Sequence, residues 1–82
     1  MPYTRAHIRV NTTEEVTSFV QEMNSDGTTN KYVIENFDGS FRVNARSFFG
    51  VMYSMTEDCE NMFLVNETID GYFPLFVDKY RK

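Results

Sequence analysis

Cysteine occurs once, at Cys59, and histidine once, at His7. A single thiol excludes an internal disulfide and a multi-cysteine metal site, and no Cys-His pairing signature is present. Cys59 therefore reads as an ordinary reduced thiol. Also missing are a Gly-rich phosphate loop, a G-x-S-x-G elbow and any metal-ligand spacing, so no motif points to an enzyme, a cofactor or a bound metal. The adjacent acids Glu14-Glu15 and Glu57-Asp58 fall at a helix start and in an expected loop, where they read as solvated charges rather than a catalytic pair.

Long apolar runs are absent as well. Without a signal-peptide core or a run of about 18 apolar residues, the sequence is that of a soluble cytoplasmic protein with no membrane partner. In that setting the glycosylation-like triplets Asn11-Thr12-Thr13 and Asn66-Glu67-Thr68 are chance matches. Positive charge is scarce: 8 Lys and Arg against 12 Asp and Glu leave a formal charge of −4. Binding nucleic acid through its phosphates needs clustered cations, and no K/R-G-F/Y-type RNA-recognition segment occurs, so nucleic acid is not an expected partner.

Aromatic residues are plentiful, with 8 Phe and 5 Tyr among 82 residues. They supply the core of a single domain spanning 1–82, since a chain of this length cannot divide its buried surface in two. From Tyr3 to Val10 apolar Ala6, Ile8 and Val10 alternate with Arg5, His7 and Arg9, the period of a half-buried strand with His7 on its solvent side. Thr12-Thr13-Glu14-Glu15 forms a capping box, and Val16, Phe19, Val20 and Met23 follow at helical spacing until Asn24-Ser25-Asp26-Gly27 stops the helix. Lys31–Phe37 and Ser40–Asn44 flank Asp38-Gly39, which predicts a hairpin with a two-residue type I′ turn. Counting outward pairs Phe37 with Ser40, Asn36 with Phe41, Glu35 with Arg42 and Ile34 with Val43.

Ser47 caps a second helix whose apolar residues Phe48, Val51, Met52 and Met55 are joined by Phe49 and Tyr53 outside that stripe. Asn61–Glu67 carries the continuous apolar run Met62–Val65 and reads as a central strand, followed by a loop over Thr68–Gly71. Pro74 opens a last helix with Phe73, Phe76, Val77 and Tyr80 in register and Lys79, Arg81 and Lys82 at its C-terminal end. The order β-α-β-β-α-β-α gives an α+β class: an open-faced sandwich or a ferredoxin-like module, between which periodicity does not choose.

The stretch Val43-Asn44-Ala45-Arg46-Ser47-Phe48-Phe49-Gly50-Val51-Met52 resembles the segment of the HPr phosphocarrier family that closes strand three and opens helix two. That family's V-N-x-K-S pattern, two bulky apolar residues and G-V-M coincide at Val43, Asn44, Ser47, Gly50, Val51 and Met52. The resemblance covers about ten residues as sequence and nearly the whole chain as topology. It implies an HPr-like open-faced β-sandwich, a four-stranded antiparallel sheet with three helices on one face.

The family accepts phosphate on a histidine at the entrance of the first helix. Here Val10-Asn11-Thr12-Thr13-Glu14-Glu15 stands there, without His, Arg or Pro, and two carboxylates would repel a phosphoryl donor. A threonine hydroxyl without a base is a poor nucleophile. The resemblance therefore implies a non-catalytic regulatory or protein-binding relative of the sugar phosphotransferase phosphocarrier, similar in logic to the catabolite-repression paralogue of HPr. In the family the serine matching Ser47 is the target of a regulatory kinase. Arg42 and Arg46 are the expected phosphate neighbours, beside the N-cap role that Ser47 has without any phosphate. Phe48, Phe49, Met52 and Tyr53 form the candidate protein-binding patch, with Phe49 the ring expected to be most exposed. The expected partner is a kinase or regulator of the phosphotransferase type, and the expected state a monomer or weak dimer. The alternative is a ferredoxin-like module for RNA or protein unrelated to sugar transport.

Overall fold

A computed structural model describes residues 4–27, 30–68 and 72–82. Its elements are β1 (Thr4–Ile8), α1 (Thr13–Ser25), β2 (Tyr32–Glu35), β3 (Arg42–Asn44), α2 (Phe48–Asp58), β4 (Met62–Asn66) and a 3-10 helix (Leu75–Tyr80). The strand start expected at Tyr3 and the loop expected beyond Thr68 lie outside the described residues. The strands form one antiparallel sheet in the order β1-β4-β2-β3. The protein is thus a small α+β domain, a four-stranded antiparallel open sheet with three helices on one face, consistent with an HPr-like open-faced sandwich. In a ferredoxin-like sheet β1 and β3 lie together at the centre; here both are at the edges and β4 is central.

The core lies between helices and sheet. Alternation sends Ala6 and Ile8, Tyr32 and Ile34, and Met62 and Leu64 to the helical side, where Val16, Phe19, Val20 and Met23 of α1 meet them. Val51 enters from α2 and Val77 with Tyr80 from the 3-10 helix, so every helix contributes to one cluster. Phe19 meets Tyr80 edge-on at 5.2 Å, an arrangement that matches ring edges to ring faces.

The hairpin keeps the expected pairs Glu35–Arg42 and Ile34–Val43 but not the expected turn. The Gly39 amide bonds to the Asn36 carbonyl at 3.2 Å, so Phe37 and Asp38, not Asp38 and Gly39, occupy the turn centre. Asn36 and Phe41 close the loop as the last bonded pair, the Asn36 amide donating to the Phe41 carbonyl at 3.1 Å and the Asn36 Oδ1 taking the Phe41 amide, in place of the expected Phe37–Ser40 pair. Gly39 follows with φ +76°, the left-handed conformation that glycine adopts without strain.

The last helix is a 3-10 turn rather than an α-helix. Its final carbonyl, on Tyr80, accepts from the Arg9 amide at 2.6 Å, and the Lys82 amide donates to His7 at 3.0 Å. Arg81 is thereby drawn out into a bridge with Ile8, and the outer edge of β1 is covered at His7–Arg9. A longer helix would forfeit that pairing.

Candidate functional site

The resemblance segment forms the corner between β3 and α2. Asn44 organises it: its Oδ1 accepts from the Arg46 amide at 2.9 Å and its carbonyl from the Ser47 amide at 3.1 Å. Ala45, fully buried, ties the corner to the sheet by donating to the Tyr32 carbonyl. Ser47 is the N-cap, its hydroxyl accepting from the Gly50 amide at 3.2 Å. A Cβ at Gly50 would stand 3.2 Å from the Asn44 carbonyl oxygen and 3.3 Å from the Val43 Cβ, so glycine lets α2 approach β3 this closely. Val43, Asn44, Ser47, Gly50 and Val51 thus each have a structural task in one corner.

Ser47 is half-buried at the free amides of α2, a position where a phosphate would meet a favourable dipole. Neither arginine is held ready for it. The Arg46 guanidinium donates to the Met23 and Asn30 carbonyls, pairs with Asp26 at 3.5 Å and lies over the Tyr32 ring. Arg42 lies on the open side of the sheet, bound to Glu35 at 3.1 Å and to Glu67.

The four aromatic and methionine residues divide. Phe48 and Met52 pack against the core, while Phe49 is 81% and Tyr53 53% exposed. Phe48 and Phe49 meet edge-on at 5.6 Å, and Tyr53 leans on Phe41 of the hairpin at 5.2 Å. The outcome is an aromatic surface along α2 whose exposed rings are Phe49 and Tyr53. Phe41 belongs to it and was not among the residues selected from sequence; its place on the helical side follows from the hairpin register, but its contact with α2 does not.

The entrance of α1 is closed. Thr12 Oγ1 accepts from the Glu15 amide at 3.1 Å, and the Glu15 carboxylate takes the Asn11 amide at 2.9 Å, one residue earlier than a standard capping box. Two of the donors that would hold a phosphate are thereby satisfied internally.

The open face of the sheet is tiled with charge. Arg5 bonds Glu35 at 2.8 Å, Glu35 bonds Arg42, Arg42 bonds Glu67, and Lys31 approaches Glu67 at 3.8 Å. Val33 and Val65 on that side are buried. His7, expected to face solvent, is half-buried: its ring stacks on Phe63 at 4.4 Å and Nε2 lies 2.8 Å from the Glu60 carbonyl. Arg5 lies over the same Phe63 ring at 4.0 Å, so Phe63 is no free platform for a base. Among the described residues no helix is long and apolar enough to cross a membrane, and no group of three or more His, Cys, Asp or Glu could hold a metal ion. No family model, no curated protein and no solved structure matches the chain.

Proposed function

We propose that the protein is a non-catalytic, HPr-like binding module that docks a partner protein on α2, with Ser47 as a regulatory phosphorylation point beside the contact surface. The observation that carries this reading is the exposure of Phe49, 81% open to solvent two residues after the Ser47 cap. A large ring held outward on a well-packed helix has no role in the core, and aromatic anchors of this kind dominate protein interfaces. The closed entrance of α1 supports the absence of carrier chemistry, since Thr12 and Glu15 use up amides that a phosphohistidine would need. The tiled sheet face and the charge of −4 weigh against the RNA-binding alternative.

Intact mass tests the regulatory half. With phosphoenolpyruvate and the general enzyme of the phosphotransferase system, the mass stays unchanged. With an HPr kinase and ATP, the wild type gains one phosphoryl group and Ser47→Ala gains none. A gain from phosphoenolpyruvate, or no kinase-dependent gain, contradicts the respective part of the proposal.

A further inference from the structure

The negative charge of this chain is unevenly compensated. Arg5, Lys31, Arg42, Arg46, Lys79, Arg81 and Lys82 all stand in ion pairs, which leaves Arg9 as the one cation without such a partner among the described residues. The acids Glu14, Glu15, Asp38, Glu57 and Asp58 have no cationic partner there. Glu14 and Glu15 sit in the first turn of α1, where the helix dipole favours them. Glu57 and Asp58 close α2, where the dipole opposes negative charge and the last turn holds no basic residue. Asp58 at least accepts from the Glu60 amide and the Asn61 side chain, whereas the Glu57 carboxylate makes no hydrogen bond among the described residues.

These two acids stand at a hollow of about 150 Å³ between α2 and the hairpin, lined also by Asn36, Phe41, Ser54 and Asn61. Ser54 is only 5% exposed, and its hydroxyl makes no hydrogen bond among the described residues. No buried side-chain oxygen or nitrogen among the described residues lacks a partner, so the unpaired Ser54 hydroxyl opens into the hollow, free to accept from a group that enters it. Phe41 supplies an apolar wall. Phe49, Tyr53 and Glu57 recur every four residues, so the hollow continues the exposed aromatic line of α2.

We infer that this hollow receives the cationic head of a Lys or Arg side chain from the protein that docks on α2. The methylene stem lies along Phe41, the head meets Glu57 and Asp58, and the Ser54 hydroxyl accepts one of its N–H groups. The inference rests on the docking reading above and adds the sign of the partner: a basic segment with apolar side chains one helical turn away. A second copy of this chain would offer only Arg9 to the hollow, since its other cations already stand in ion pairs. An anionic polymer or lipid surface would be repelled.

The test uses a labelled amphipathic helical peptide of leucine and lysine, with a glutamate-for-lysine counterpart. Binding is read by fluorescence anisotropy to the whole chain and located by amide shifts. The lysine peptide binds and the glutamate peptide does not. Glu57→Gln weakens binding about threefold and Glu57→Lys about tenfold, the size expected of exposed charge pairs. Shifts centre on Phe41, Ser54 and Asp58. Unchanged affinity in both Glu57 variants, with binding still lost in Phe49→Ala, overturns the cation site and leaves the docking surface standing. Failure of the lysine peptide to bind, or shifts centred on Glu14 and Glu15, overturns both.

Discussion

Ser47 shows how much can rest on one side chain before any modification occurs. Its hydroxyl satisfies one of the four free amides that begin α2, so Ser47→Ala costs about 1 kcal/mol in urea unfolding. Ser47→Asp, which also caps and suits the dipole, leaves stability near wild type. A mimic of phosphorylation that unfolded the domain as readily as alanine would show that this cap is not formed as described. Several residues read from sequence find their structural reason at this scale. Thr12 is the N-cap of α1 because a hydroxyl three residues before a glutamate amide can cap locally, and Val16, Phe19, Val20 and Met23 are buried because helical spacing puts them on one side. The hollow at Glu57 and Ser54 was not legible, since it exists only where the hairpin meets α2. His7 faces the open side of the sheet as its alternation requires, but its stacking partner Phe63, opposite it on β4, is a neighbour that no single-strand pattern reveals.

Between elements, the determining contact is the close approach of α2 to β3 at Gly50. Alanine there would gain helix propensity of up to about 1 kcal/mol, yet its Cβ would press on the Asn44 carbonyl oxygen at 3.2 Å and the Val43 Cβ at 3.3 Å. Backbone and strand Cβ atoms cannot swing aside, so Gly50→Ala destabilises the domain by about 1 kcal/mol in chemical denaturation, against the propensity. A stabilising Gly50→Ala would mean the corner is looser than described. The identities that suggested a family cluster in this corner. The hairpin register was legible because each strand carries its own alternation, while its turn was not, because the Asn36 side chain takes the Phe41 amide. The 3-10 form of the last helix was equally hidden: Phe73, Phe76 and Tyr80 give similar spacings in either helix, and the choice is made by β1, distant in sequence.

For the whole molecule, the C-terminal segment is fastened to α1 through Glu22. Its carboxylate holds Lys79 at 2.8 Å and the Tyr80 hydroxyl at 3.0 Å. The Lys79 hydrogen bond keeps Glu22 below the usual carboxylate range, while burial and then Glu22 itself push Tyr80 up to about 12. Below the ordinary tyrosine value near 10, the folded and unfolded chains are both protonated at this site. Above it the unfolded chain releases the proton first, so stability falls as pH rises from about 10 to 12. Unfolding midpoints measured across that window should drop, and Tyr80→Phe should flatten the decline; an unchanged slope in Tyr80→Phe would remove Tyr80 as its source. Strand order belongs to this scale as well, and sequence periodicity could not supply it, since four alternating strands are compatible with several pairings.

The proposed docking of a partner on α2 is tested most directly by crosslinking. A benzophenone amino acid placed at Phe49, at Tyr53 and, as a control, at the 89% exposed Leu75 should report it by photo-crosslinking in an extract of the source cells. The first two positions are expected to capture one and the same protein, and Leu75 is not. Adducts from Leu75 with none from Phe49 or Tyr53 would contradict that docking.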